Sequence, residues 1–284
     1  MSTLPQEFIN RIKSQFPDNW ESILGTFKHK KPTTLRANTL KTTSSELEKD
    51  LTKQGFELQK ADIPDAFVLL NKTQRELTET KQYLNGELYV QGLSSMIPPI
   101  KLDPQPGETV LDICAAPGSK TTQISALMKN TGSVIACDLS KVRLYKLAAN
   151  IKTLGVTNIQ TLHMNGKDLW KRFPNTFDRV LVDVPCSLEG RFLESNPKTY
   201  KNWSPKKIKV LAEHQKHILR SAISCAKPGA TIVYSTCTLS PDENEKVVEW
   251  ILNREKDIEL INAEQILPTE LYEGFFVAKF KKLG

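Results

Sequence analysis

Cys237, in Tyr234-Ser235-Thr236-Cys237-Thr238-Leu239, and Cys186, in Asp183-Val184-Pro185-Cys186-Ser187, are the residues whose type and setting best suit chemistry. A thiolate is a strong nucleophile, and a carboxylate such as Asp183 can hold a proton beside it. Downstream of Cys237, Ser240-Pro241-Asp242-Glu243 reads as a capping box with proline at the first helical position. A helix starting there would favour the thiolate through its dipole and free amides. The plainer reading of a cysteine is a small buried hydrophobe, which is the expectation for Cys137 and Cys225. A further cluster, Cys114-Ala115-Ala116-Pro117-Gly118-Ser119-Lys120-Thr121, combines small residues with a glycine, so that backbone can approach a bound ligand. It lacks the first glycine of a phosphate-binding loop. Asp138 stands where an acidic residue holds ribose hydroxyls in nucleotide-binding sheets, with a helix cap before Leu139-Ser140 as the alternative.

These residues need a scaffold that gathers them. Beyond Asp103-Pro104-Gln105-Pro106-Gly107, where prolines halt regular structure, apolar runs alternate with helical segments. Val110 to Cys114, Val134 to Asp138, Ile159 to His163, Arg179 to Asp183 and Thr231 to Ser235 read as strands, with Phe275 to Phe280 as a late one. Helices are expected over Lys120–Met128, Lys141–Thr153, and from Ser204-Pro205 to a stop at Lys227-Pro228-Gly229. This alternation argues for an α/β fold with a mainly parallel sheet covered on both faces. In such sheets ligands bind outside the carboxyl ends of the strands, where the reactive residues fall. In a sheet ordered 3-2-1-4-5, Cys186 and Cys237 end neighbouring strands. Ahead of this core, residues 1–30 are expected to form an N-terminal helix and 31–103 a small α/β unit. Strands are expected at Thr33–Asn38 and Phe67–Leu70, with a helix capped by Ser45-Glu46-Leu47-Glu48 and stopped by Gly55. Residues 104–284 make up the remaining domain.

The 284 residues include 39% hydrophobic and 25% charged side chains, which suits a packed globular chain. Neither a run of about 18 apolar residues nor a basic-then-apolar leader is present, so a cytoplasmic, non-membrane protein is expected. The 5 cysteines form no Cys-x-x-Cys pair, which argues against zinc. A net charge of +7 favours a polyanionic partner.

Asp112-Ile113-Cys114-Ala115-Ala116-Pro117-Gly118-Ser119-Lys120-Thr121, Asp183-Val184-Pro185-Cys186-Ser187 and Tyr234-Ser235-Thr236-Cys237-Thr238-Leu239 closely resemble the RsmB/RsmF/NSUN family of RNA cytosine-C5 methyltransferases. Leu35-Arg36-Ala37-Asn38-Thr39-Leu40, Gln91-Gly92-Leu93-Ser94-Ser95-Met96 and Glu273-Gly274-Phe275-Phe276-Val277-Ala278 also match its pattern. The resemblance covers nearly the whole chain beyond residue 30. It implies a Rossmann-like class I methyltransferase domain behind an RRM-like unit, with S-adenosyl-L-methionine as cofactor. Cys114, Ala115, Ala116, Pro117, Gly118, Ser119 and Lys120 would line the cofactor pocket, with Asp138 on the ribose, Arg143 nearby, and Asp183 between cofactor and base. It implies that Cys237 attacks the base while Cys186 assists product release. DNA cytosine methyltransferases attack from the Pro-Cys loop instead.

Three departures from the family pattern stand out. Asn165 occupies the third-strand position where aspartate is usual; it is expected to contact adenine without carrying charge. Leu188 follows Ser187 where glycine is usual. The chain also ends soon after Phe280, so RNA contact is expected from the N-terminal unit and the core surface. Lys30, Lys31, Arg36, Lys201 and Lys206 are candidate RNA contacts, with Trp203 a candidate stacking residue. A monomer acting on RNA without a metal is expected, with rRNA and tRNA both open. Two rival readings remain. A dehydrogenase lacks its Gly-x-Gly-x-x-Gly here, and a non-catalytic RNA-binding or ribosome-assembly factor has no need of both thiols and Asp183.

Overall fold

The structure, a computed structural model, describes residues 4–284. Where a single N-terminal helix is expected there are two, α1 (Gln6–Gln15) and α2 (Trp20–Thr26). Pro17 explains the break, because proline cannot continue the hydrogen-bond ladder. α1 buries Phe8, Ile9 and Ile12. Phe8 packs on Phe27 and Phe192 with ring centroids 5.8 and 4.9 Å apart, so these helices are clamped onto a loop of the core.

The next unit runs β1 (Thr34–Ala37), α3 (Ser44–Thr52), β2 (Leu58–Lys60), β3 (Ala66–Leu69), α4 (Gln74–Thr78), α5 (Lys81–Leu84) and β4 (Leu88–Val90). Its strands form an antiparallel sheet ordered β2-β3-β1-β4. Leu35, Leu47, Leu51, Phe67 and Leu88 make its core. The capping box of α3 is Thr43 with Glu46, not Ser45 with Glu48, because the helix enters two residues earlier. α6 (Leu93–Leu102) carries Pro98 and Pro99 within it and stops at Asp103 (φ 52°), ahead of Pro104 and Pro106.

The larger unit follows as β5 (Thr109–Asp112), α7 (Ser119–Leu127), β6 (Ser133–Asp138), α8 (Lys141–Leu154), β7 (Ile159–His163), β8 (Phe177–Asp183), α9 (Pro205–Cys225), β9 (Ala226–Thr236), α10 (Glu245–Arg254), β10 (Ile258–Ile266) and β11 (Phe275–Lys282). These strands make a seven-stranded sheet ordered β10-β11-β9-β8-β5-β6-β7. β7, β6, β5, β8 and β9 are parallel, in the anticipated 3-2-1-4-5 order, and β11 pairs antiparallel with both β9 and β10. Val110, Leu111, Val134, Ala136, Val180 and Leu181 are fully buried, as strands covered on both faces require. β10 escapes sequence reading because most of its residues are exposed or half-exposed, leaving no apolar alternation. α9 starts at Ser204 and Pro205 as expected, but it ends at Cys225 and passes straight into β9, so Lys227-Pro228-Gly229 lies within a strand. Among the described residues no helix is long and apolar enough to cross a membrane, and no group of three or more His, Cys, Asp or Glu is placed to hold a metal.

Candidate active site

The carboxyl ends of β5, β8 and β9 open onto one cavity of about 480 Å³. Cys114, Ala115, Ala116, Pro117, Ser119, Lys120, Arg143, Asp183, Cys186 and Cys237 all line it. Parallel register brings Asp183 opposite Ser235, so the Pro-Cys loop after β8 and the Thr-Cys loop after β9 leave the sheet side by side. The two sulfurs lie 3.1 Å apart, and the Cys237 amide donates to the Cys186 sulfur at 3.3 Å. Cys186 is buried, whereas Cys237 is partly exposed. Burial, and next the Cys237 thiol, push the Cys186 thiol well above its ordinary range. The two sulfurs thus differ in surroundings, Cys186 being enclosed and Cys237 open to the cavity.

The setting of Cys237 differs from expectation. α10 begins at Glu245, so Ser240-Pro241-Asp242-Glu243 is a turn and no helix dipole acts on the thiol, since that influence fades within a turn. The Glu243 side chain turns instead into the core, where it accepts from the Ser187 amide at 2.9 Å, the Ser187 hydroxyl and Gln215 Nε2 at 2.9 Å. Asn244 holds the Thr-Cys loop from both sides. Thr236 Oγ1 donates to its Oδ1 at 2.6 Å, and its Nδ2 donates to the Thr238 carbonyl at 3.1 Å. Burial lifts the Glu243 carboxyl to about 7. A second fully buried carboxylate, Glu189, is ion-paired to Arg11 of α1 and accepts from Trp203 Nε1 at 2.7 Å and Thr238 Oγ1 at 3.0 Å. Both cysteine loops are thus fastened by buried acids whose role sequence reasoning missed, because Glu189 sits in no pattern of its own and Glu243 reads locally as part of a helix cap.

Asp183 is also positioned from two sides. Lys120 Nζ donates to its Oδ2 at 2.7 Å and Ser235 Oγ to its Oδ1 at 2.8 Å, while Lys120 also donates to Ser95 Oγ at 2.9 Å. Ser95 and Glu273 belong to motifs recognised in the sequence without a role, and both line the cavity.

The loop after β5 is built for close approach. Gly118 lies at φ +108°, and a Cβ there would come within 2.5 Å of a Leu147 methyl, so only glycine fits. Asp112 Oδ2 accepts from Thr121 at 2.7 Å, but its Oδ1 is buried with no partner among the described residues. Asp112 lines the cavity, and burial raises its carboxyl to about 7. An unmet buried acceptor on the wall calls for a ligand that donates a hydrogen bond, as the ammonium of an adenosyl amino-acid cofactor does. Burial and the nearby carboxylates push the Cys114 thiol well above its ordinary range, marking it as a wall residue.

Asp138, just beneath the wall, accepts from the Ala116 amide at 3.1 Å and the Ser140 amide at 2.8 Å, and pairs with Arg143 at 3.1 Å. The cap of α8 is Ser140 itself. Three expected contact residues have partners within the fold. Asn165 lies off the cavity wall and caps a short 3-10 turn by accepting from the Lys167 amide at 3.2 Å. Arg36, 4% exposed, is enclosed with Gln91 and Thr122 and offers no surface to RNA. Half-buried Trp203 donates to Glu189 and sets its ring near the edge of Phe8, with centroids 5.9 Å apart. Lys30, Lys201 and Lys206 are exposed, while half-buried Lys31 donates to the Thr269 carbonyl.

The family model described as 16S rRNA methyltransferase RsmB/F matches residues 99–281, and the RsmF/B-like ferredoxin-like domain matches residues 4–75. The chain is 33% identical to the ribosomal RNA small subunit methyltransferase F of Cronobacter sakazakii, over 98% of this chain and 63% of that protein. It therefore spans less than two thirds of that relative's length. A methyltransferase homolog from Pyrococcus horikoshii, 31% identical, superposes with a TM-score of 0.89 over 99% of this chain and 96% of its own. NSun6 from the same organism, solved with SFG, shares the fold at 24% identity and a TM-score of 0.87, over 99% of this chain and 98% of its own.

Proposed function

The chain belongs to the RsmB/F family of 16S rRNA methyltransferases, and on that premise we propose that it transfers a methyl group from S-adenosyl-L-methionine to carbon-5 of a cytosine in RNA through a covalent Cys237 adduct. The observation that carries this reading is the pair of thiols 3.1 Å apart on the wall that also holds Asp183.

Carbon-5 of cytosine is a weak nucleophile. In the proposed sequence, the Cys237 sulfur adds to carbon-6, the ring π electrons move toward carbon-5, and a proton near nitrogen-3 stabilises the resulting enamine. We assign that proton contact to Asp183, whose carboxylate Lys120 and Ser235 hold from two sides. S-adenosyl-L-methionine supplies the electrophilic methyl when bound; Asp112, Cys114 to Lys120, Asp138 and Arg143 are the residues assigned to hold it. Transfer of the carbon-5 proton to water lets the C–H electron pair re-form the 5,6 double bond, while the sulfur–carbon pair leaves on the Cys237 sulfur as thiolate. Cys186, in contact with the departing sulfur, assists that release. The base must leave its stack to reach the cavity, which favours a single-stranded or loosely paired target.

Residues 31–103, together with Lys30, Lys31, Lys201 and Lys206, are assigned to RNA contact, and the relative's name points to small-subunit rRNA as the substrate. We assign the protein to the cytoplasm, acting as a monomer. Mixing RNA with each cysteine variant tests the reading. Cys186→Ala accumulates a protein–RNA adduct that survives a denaturing gel, and Cys237→Ala gives neither adduct nor 5-methylcytosine. An adduct with Cys237→Ala and none with Cys186→Ala reverses the roles. Wild-type protein that never methylates RNA returns the chain to the non-catalytic reading.

A further inference from the structure

We propose that Arg191 binds the phosphodiester adjoining the target cytidine, at a sill between the catalytic cavity and a second cavity along which the RNA strand runs. This rests on the reading of the chain as an RNA cytosine methyltransferase and adds to it a specific backbone subsite.

The catalytic cavity and its neighbour, of about 390 Å³, share Val90, Gln91, Gly92, Arg191 and Glu273 as a common wall. The second cavity extends to His29, Lys30 and Lys31, which also line a third cavity of about 750 Å³. One groove therefore leads from the thiols to the basic segment joining the N-terminal helices to β1. A strand with one base inside the catalytic cavity must carry its backbone over the shared wall, and the cation on that wall is Arg191.

The Arg191 side chain is 57% exposed and meets Glu273 through Nε alone, at 3.1 Å. Its two terminal nitrogens have no partner among the described residues. A guanidinium so held presents a planar fork, which matches two oxygens of a phosphate. Glu273, only 19% exposed, aims the fork before substrate arrives. The preceding residue fixes where the fork sits. Gly190 donates to the Cys237 carbonyl at 3.1 Å and accepts from the Gly274 amide at 3.2 Å, with no room for a Cβ against Gly274. A phosphate gripped by Arg191 is thereby held in register with the attacking sulfur. The residue emerges directly from the loop in which Leu188 departs from the family pattern.

An anionic oxygen on Arg191 has a second possible source, the carboxylate of the cofactor's amino-acid moiety, since both share the cavity. The test separates the two. Binding of a fluorescent single-stranded oligoribonucleotide containing one cytidine is measured by anisotropy across a salt series for the wild-type chain, Arg191→Gln, Arg191→Lys and Lys246→Gln. Titration calorimetry with S-adenosylhomocysteine runs alongside. Losing one phosphate contact lowers the slope of log affinity against log salt by about 0.7 for a single strand. Arg191→Gln is expected to show that loss with about tenfold weaker binding. Arg191→Lys keeps the slope but not the full affinity, because a point charge replaces the fork. Lys246→Gln, on α10 and outside all three cavities, keeps both. S-adenosylhomocysteine binds every variant equally. An unchanged slope in Arg191→Gln overturns the proposal, and a selective loss of S-adenosylhomocysteine affinity moves the guanidinium to the cofactor. A normal slope change in a chain that never methylates RNA sinks the catalytic reading and leaves the subsite standing.

Discussion

Replacing Glu243 with glutamine is expected to flatten the acid-side stability profile of the protein. Glu243 is fully buried, and burial raises its carboxyl from 4.5 to about 7 against the opposing pull of Ser187 and Gln215. An acid whose folded pKa is raised binds more protons folded than unfolded. Its favourable contribution is full below the unfolded value and is lost as pH climbs through about 7. At about 1.4 kcal/mol per pH unit, the interval from 4.5 to about 7 is worth about 3 kcal/mol, of which about 2.5 falls between pH 5 and pH 8. Glutamine keeps one acceptor for the Ser187 amide and carries no titratable proton. Its packing cost, about 1–3 kcal/mol for mismatched donors, is the same at both pH values. Urea unfolding followed by tryptophan fluorescence, at pH 5 and pH 8, isolates the effect. The wild type should lose about 2.5 kcal/mol more than Glu243→Gln between the two conditions. Asp112, which burial also raises to about 7, titrates in both proteins and cancels from the comparison. Equal losses in the two proteins would refute the claim that burial beneath the Pro-Cys loop raises the Glu243 carboxyl.

Two further substitutions probe the same loop. Leu188 lies at φ 64° with its side chain 45% exposed on the catalytic cavity. Leu188→Gly should therefore stabilise the fold by about 1 kcal/mol, read as a rise of about 2 °C in melting temperature, and lower affinity for RNA where the apolar contact is lost. A fall in melting temperature contradicts the strain argument. A Cβ on Gly190 would stand 1.8 Å from the Gly274 carbonyl oxygen, so Gly190→Ala must push the loop outward; it should cost about 1–3 kcal/mol and most of the methylation activity. Gly25→Ala, in α2 with nothing within 4 Å of the added carbon, should instead add about 0.5–1 kcal/mol, and both are read from melting curves.

The chain's own residues determined the order of strands and helices from β5 to β9 and the residues at their carboxyl ends. Apolar runs such as Val134 to Cys137, and breaks such as Pro104 and Pro106, are local signals that need no partner to be read. β10 was illegible because its side chains mostly face water, and its strand state comes only from pairing with β11. The capping box at Ser240–Glu243 was legible but misleading. Tertiary contact with Ser187 and Gln215 competed for the Glu243 carboxylate and won, which delayed α10 to Glu245. Arg36 looked like an RNA contact by type, yet burial against Gln91 and Thr122 closed it off. What the fold alone decided is proximity between residues far apart in the chain. Cys186 and Cys237 meet because parallel pairing of β8 with β9 ends both strands at one level, and Arg11 of the first helix reaches Glu189 only once both are folded. A sequence states which groups are available. Which of them lose water together, and so act on one another, is settled by packing at distances that no local pattern encodes.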